Sequence, residues 1–366
     1  MERRSSCLNN FLLPIFFLLL TVAAAYDENN DTIIPAIFTF GDSSVDVGNN
    51  NHLKSAMFKA DYFPYGKDLL LVDHIHPTGR FSNGMLTTDF GAEGLGFKHA
   101  QHGYLSSSFR VVGENSFITG ANFASAGSGY YDGTSMRYNA IPLSKQLELF
   151  KAYKSKLFGV TGEKKGEDML SKSVFIVSTG NGDYVQNYYL NRSLRKRYNI
   201  EKYSTFIVGL LADILEKLHG DGARKIAVTT LPPMGCLPAA INVHGNGNRK
   251  RCVARLNKDA QTHNRKMEKM VNEKRAKHRD LKIAILNTYD AILDLVNNAT
   301  QHGFKESRRG CCATGGGGTT VLCKPNTELL CRNVSEYVFF DGVHPTHLAN
   351  KFISEAVMLD GLTLLP

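Results

Sequence analysis

A chain of 366 residues, 43% of them hydrophobic, carries enough apolar material for a sizeable core. No internal repeat or long low-complexity linker divides it, which favours one domain over two. Its net charge of +9 would suit an acidic partner, but an export signal at the N-terminus removes nucleic acid from the candidates.

That signal consists of Arg3 and Arg4, the apolar run Phe11–Leu20 and the small residues Ala23-Ala24-Ala25. Basic segment, greasy core and A-x-A site together predict a secretory signal peptide over residues 1–25, cleaved after Ala25, leaving 26–366 as the mature domain. A membrane anchor is the weaker reading, because Phe11–Ala25 is short for a spanning helix and contains Pro14. No other stretch is long and apolar enough to span, so a secreted, extracellular monomer without a transmembrane anchor is expected. Cys7 falls in the removed segment. Cys236, Cys252, Cys311, Cys312, Cys323 and Cys331 form an even set, better read as disulfides than as zinc ligands in an oxidising compartment. The pairing is open, although the adjacent Cys311 and Cys312 should face different partners. Sequons at Asn30, Asn191, Asn298 and Asn333 mark candidate glycosylation sites on surface loops.

The first predicted strand is Ala36–Phe40, a short apolar run ending at Gly41-Asp42-Ser43. Asp46–Asn51 follows as a turn whose asparagines tolerate a left-handed backbone. Thr78–Gly84 reads as a loop on the same side as Ser43. His74 and His76 alternate as strand ligands would, but no third ligand is near, and neither a metal nor a cofactor is expected. Phe117–Gly129 predicts a strand running into a turn of small residues, where Gly127 and Gly129 permit close backbone approach. A helix over Ser144–Phe158 precedes the strand Val174–Ser178, which ends in Thr179-Gly180-Asn181-Gly182-Asp183. The helix Glu201–His219 places Ile207, Leu210, Leu211, Ile214 and Leu218 on one face, with Gly220 as its C-cap.

Lys225–Leu231 predicts a fourth strand. An amphipathic helix spans Val253–His278, with basic residues outward and His263 on the buried stripe as a packed histidine. The basic residues between Arg249 and Lys282 read as a solvated face, with attraction to an acidic extracellular polymer or lipid surface as the alternative. Ile283–Leu286 is a fifth strand and Thr288–Val296 begins a helix. Gly315–Gly318 lacks the GK[ST] of a phosphate loop and reads as a flexible loop held by disulfides. Thr346 N-caps a last helix bearing Leu348, Phe352, Ile353, Val357 and Leu359. Five strands alternating with helices predict an α/β fold with a parallel sheet covered on both faces, its polar clusters gathered at the carboxyl edge.

Ser43, at the end of the first strand, is a candidate nucleophile that needs a base. Asp341 and His344, three residues apart near the far end of the chain, supply one: Asp341 can hold one ring nitrogen while the other faces the serine. Either fragment is weak alone; together they predict acyl transfer through a Ser-His-Asp triad.

The ordered blocks FTFGDSSVDVGNNN, FPYG, GRFSNG, GANFASAGSG, STGNGDY, LPPMGCLP and FFDGVHPT resemble the plant-type GDSL esterase/lipase family of the SGNH hydrolases over essentially the whole mature chain. The resemblance implies a flavodoxin-like α/β/α sandwich with a mainly five-stranded parallel sheet. It also implies hydrolysis of carboxylic esters by Ser43, His344 and Asp341, with an oxyanion hole of the Ser43 and Gly127 backbone N–H groups, Gly120 being the weaker candidate for the glycine position. No G-x-S-x-G occurs, which argues against the α/β-hydrolase elbow. Two departures stand out. Ser44 replaces the leucine of the family name, and Gly182 stands where the family has an asparagine that donates to the oxyanion, with Asn181 one position early as a replacement. Lipid, cutin-like and acetylated-polysaccharide esters all suit such a site. A binding or defence-related protein with vestigial activity, and an acyltransferase using the same triad, are the competing readings.

Overall fold

Short β-branched and aromatic runs build the centre of the molecule, as seen in a computed structural model that describes residues 32–69, 77–98, 100–106, 117–312, 321–327 and 330–366. In chain order the elements are β1 (Ile37–Gly41), α1 (Thr87–Gly94), β2 (Gly120–Asn122), α2 (Asp132–Met136), α3 (Leu143–Thr161), α4 (Glu163–Lys172) and β3 (Val174–Ser178). There follow α5 (Arg192–Arg197), α6 (Ile200–Gly220), β4 (Lys225–Thr229), α7 (Pro238–His244), α8 (Ala254–Lys277), β5 (Lys282–Leu286) and α9 (Thr288–Asn297). The chain closes with β6 (Glu306–Gly310), β7 (Tyr337–Phe339) and α10 (His347–Gly361).

β1 to β5 form one sheet in the order β2-β1-β3-β4-β5, every pair parallel. This is the parallel sheet that the alternation of strands and helices predicts, in the flavodoxin-like arrangement that the family resemblance implies. From β1 the chain moves to β2 on one side and then crosses back to β3 on the other. The crevice outside the strand ends at such a switch point is where open α/β sheets bind ligands, and Ser43 lies there, two residues beyond β1.

Alternation along the strands makes the two faces unequal. One face presents Phe38, Phe40, Phe175, Val177, Ile226 and Val228, packed with Phe150 and Tyr153 of α3, Leu211 of α6 and Leu256 of α8. The rings of Phe38 and Phe150 meet edge-on at 5.3 Å, and those of Phe40 and Phe123 stack at 5.2 Å. Each such fully buried side chain contributes about 1.5–3 kcal/mol of transfer free energy. The other face carries smaller residues, among them Ile37, Val174, Ala227 and Ala284, and meets Ala92 of α1 and Leu364 near the C-terminus.

β6 and β7 pair in parallel as a separate two-stranded sheet. The charged run ESRRG of β6 offers no hydrophobic period, which is why the sequence gives no warning of it. Its partner β7 leads directly to Asp341. Beyond β6, Cys311 donates its N–H to Phe339 O and Cys312 to Phe340 O, at 3.0 and 2.9 Å. Disulfides join Cys311 to Cys331, Cys312 to Cys323 and Cys236 to Cys252, so the adjacent cysteines do face different partners.

Some local expectations needed correction. Gly220 is still helical, and the left-handed position at the end of α6 belongs to Gly222, at φ +113°. There Gly222 N–H reaches His219 O and Ala223 N–H reaches Leu218 O. Leu359 lies on α10 as expected but is 68% exposed, on a different side of the helix from the buried Ile353 and Val357. β2 shrinks to Gly120–Asn122, and β4 stops at Thr229, Leu231 being held instead by the Asn264 side-chain amide at 2.8 and 3.0 Å. The turn after Ser43 takes its positive φ at Gly48, while Asn49 and Asn50 are buried ties to another loop. His263 is packed, as its place on the stripe predicts. It lies 3.0 Å from the Tyr184 hydroxyl, and burial pulls its pKa down to about 3. His74, His76 and Gly315–Gly318 lie outside the described residues.

Arg80 makes a bidentate ion pair with Asp89 of α1, both contacts at 2.8 Å, with side-chain exposures of 4% and 0%. Removing one partner of so buried a pair leaves the other charge uncompensated, which typically costs about 3–5 kcal/mol. The pair ties the Thr78–Gly84 loop to α1. Among the described residues no helix is long and apolar enough to cross a membrane.

Candidate active site

Ser43 is held by a turn that only glycine can begin. Gly41 sits at φ +152°, and a Cβ there would lie 2.0 Å from Ser178 O. Its N–H donates to Gln146 Oε1, and its carbonyl accepts from Gln146 Nε2, both at 2.9 Å. Asp42 N–H then donates to Ser178 O on β3. The Asp42 carboxylate accepts from Ser44 N–H and Oγ–H at 2.9 and 2.8 Å and from Thr179 Oγ1 at 3.0 Å, and burial pushes its pKa up. Ser44, in the leucine's place, thus helps to brace the turn.

A second brace joins this turn to the Gly127 loop. Asp46, its pKa raised by burial to about 6, accepts from Gly48 and Asn49 N–H at 2.8 Å and from Ala126 N–H at 2.9 Å. Asn50 Nδ2 donates to Ala126 O at 2.9 Å, and Asn49 Nδ2 to Ala124 O at 2.8 Å. Gly127, next to Ala126, has φ +90°.

From the far end of the chain, Asp341 and His344 arrive on the loop between β7 and α10. Asp341 is fully buried and His344 nearly so. His344 Nε2 lies 2.8 Å from Ser43 Oγ, and His344 Nδ1 lies 2.8 Å from Asp341 Oδ2. Asp341 Oδ1 accepts the N–H groups of Val343 and His344 at 2.8 and 2.7 Å, and Tyr65 donates its hydroxyl to Oδ2 at 2.7 Å. Burial, with the Asp341 carboxylate beside it, drives the Tyr65 pKa well above its usual value. The Phe81 ring lies 5.0 Å from the imidazole. Thr346, whose side chain accepts from Ala349 N–H, caps α10 and anchors the segment from behind.

A cavity of about 230 Å³ opens beside Ser43 and His344, lined also by Gly127, Asn181, Gly182 and Gln186. The structure therefore brings Ser43, Asp341, His344, Gly127 and Asn181 to one place. Gly120 lies in β2 against Ile37 and takes no part. Sequence reasoning missed Gln186. A Cβ on Gly182 would meet Gln186 Oε1 at 3.0 Å, so this side chain fills the room that an asparagine at 182 would take. Both Asn181 Oδ1 and Gln186 Oε1 are buried without a hydrogen-bond partner among the described residues. The only available signal was the polar Gln186 a turn beyond Asn181, too common a spacing to single out.

Asn191 caps α5, accepting from Ser193 and Leu194 N–H; Asn298 donates to Asp294, and Asn333 accepts from Ser335. None of these three is buried, and Asn30 lies outside the described residues. Away from the cavity, Glu216, His219 and His278 converge closely enough to hold a metal ion. However, Lys274 and Lys277 already place ammonium groups 2.5 and 2.9 Å from Glu216 Oε1, which opposes a cation there.

The family model for GDSL-like Lipase/Acylhydrolase matches residues 37–357. The chain is 43% identical over 360 residues to the GDSL esterase/lipase APG of Arabidopsis thaliana, covering 98% of this chain and 99% of that one. It is 41% identical over 335 residues to GDSL esterase/lipase At5g03810 of the same plant, covering 92% and 93%. It is 39% identical over 350 residues to At3g53100, covering 96% and 97%. With the model spanning most of its length and such relatives matched end to end, the chain belongs to the GDSL esterase/lipase family of carboxylic ester hydrolases.

Proposed function

We propose that the protein is a secreted serine esterase in which Ser43 is the nucleophile, His344 the general base and acid, and Asp341 the group that orients the imidazole. The observation that carries this reading is the unbroken chain from Ser43 Oγ through His344 to Asp341, 2.8 Å at each link. His344 Nε2 takes the serine proton as Oγ attacks the ester carbonyl, then delivers it to the departing alcohol; water repeats the sequence to free the acid. Asp341 keeps the proton of the neutral ring on Nδ1, leaving Nε2 free to accept. A fluorophosphonate is the direct test. One phosphonyl group should bond to Ser43, located by peptide mass spectrometry, and labelling at another serine or at none would refute the assignment.

The oxyanion hole is completed by the Ser43 and Gly127 backbone N–H groups and one side-chain amide. Neither N–H has an acceptor among the described residues. Asn181 and Gln186 both compete for the third place, since rotating either amide presents N–H in place of oxygen. The true donor should lose about 10²–10³ in kcat on truncation to alanine. Comparing Asn181→Ala with Gln186→Ala identifies it, and equal, small losses would leave the hole with two backbone donors.

Three disulfides, together with the basic and apolar N-terminal segment that ends in Ala23-Ala24-Ala25, support passage through an oxidising secretory route, with removal of residues 1–25. Among the described residues Asn191, Asn298 and Asn333 are the accessible glycosylation candidates, and 26–366 is the proposed mature domain.

A further inference from the structure

The cavity beside Ser43 does not end there. Its walls continue along the small-residue face of the sheet to Ile37 and Val174, which pair in register at the opposite ends of β1 and β3. Between mouth and far end it is bounded by Ile176, Ala227 and Leu286 from the sheet and by Val357 from α10. Among the described residues its only ionisable lining groups, Asp42 and His344, belong to the mouth.

The cause lies in the unequal faces. Opposite the phenylalanine-rich side, registered positions carry Ala227 and Ala284, and the covering helices present Gly91 and Ser354. A Cβ built on Gly91 would meet only Ser354 Oγ, at 3.9 Å. Neither α1 nor α10 therefore fills the space beneath the sheet.

We propose that this channel receives the acyl chain of the substrate, making the preferred substrates esters of medium-chain fatty acids rather than acetyl esters. The inference rests on ester hydrolysis at Ser43. Four residue steps separate Ile37 from Gly41, about 13 Å along the strand, which is the extended length of roughly ten alkyl carbons. An acyl carbonyl at Ser43 Oγ then sends its chain down an uncharged passage, with the leaving alcohol on the solvent side. An acetyl group would leave the passage unused.

Hydrolysis of p-nitrophenyl acetate and p-nitrophenyl decanoate by the purified protein tests this. Each methylene buried in the channel is worth roughly a fourfold gain, so kcat/KM for decanoate should exceed that for acetate by at least about 100-fold. Substitution at Gly91 should lower the decanoate-to-acetate ratio in a graded way, slightly for Gly91→Ala and at least tenfold for Gly91→Leu, and Ser354→Leu should repeat the larger effect. A ratio near one in the native protein, or one that neither leucine variant moves, overturns the proposal. Calorimetric titration of decanoic acid into the Ser43→Ala protein separates this failure from failure of the hydrolase reading, because it needs no turnover. Saturable binding weakened at least tenfold by adding Gly91→Leu supports the channel even if no ester is cleaved. Absence of binding, alongside measurable hydrolysis of acetate by the native protein, removes the channel and leaves the esterase.

Discussion

Ser43→Ala should abolish ester hydrolysis, lowering kcat by about 10⁶, or roughly 8 kcal/mol of transition-state stabilisation. The size follows from losing the covalent step, for which no neighbouring group substitutes. Asp42 points its carboxylate at Ser44 and Thr179, and Ser44 Oγ is engaged by Asp42 and lies 3.2 Å from Ser178 Oγ. Folding should survive, because the Ser43 hydroxyl makes a single contact, with His344, and the turn is held by Gln146, Asp42 and Ser178. The measurement is steady-state turnover of a p-nitrophenyl ester beside a thermal unfolding curve. An unchanged melting temperature with turnover at background confirms a chemical role, whereas retained turnover would locate the nucleophile elsewhere.

Asp341→Asn should cost about 10⁴ in kcat. The asparagine keeps one oxygen for the N–H groups of Val343 and His344, which Asp341 Oδ1 now accepts at 2.8 and 2.7 Å. Its amide N–H₂ then faces Tyr65, whose hydroxyl can turn to accept, and His344 Nδ1. A donor opposite Nδ1 selects the tautomer protonated on Nε2, and that ring cannot take the Ser43 proton. The loss should therefore fall on kcat, with KM little changed, since no atom near the substrate is removed. Equal loss in an Asp341→Ala variant would agree with an orienting role. Near-native rates in both would show that Tyr65, Phe81 and the capped α10 suffice to hold the ring.

β1 and β3 were readable because a short apolar run stopped by glycine or polar residues has few alternatives, and α10 because Thr346 caps it as a threonine before an apolar-periodic run should. Ser43, Asp341 and His344 could be named because their residue types and local surroundings carry chemistry wherever they are placed. Gln186 could not, since its interest comes only from the space left by Gly182 across a helical turn. Gly222 displaced Gly220 as the left-handed residue because the end of α6 is set by what it packs against, one residue beyond the His219 that its periodicity suggests.

By itself, then, the order of residues determined the alternation of strands and helices that makes a covered parallel sheet, the strand that carries Ser43, and the partners that serine would need, because each depends on short-range periodicity or on side-chain type. Tertiary structure alone decided the cysteine pairing, the β6–β7 sheet that carries Asp341 inward, and the apolar channel under the sheet. All three arise where segments far apart in the chain come into register, and the free energy that selects one register over another belongs to the contact, not to either segment.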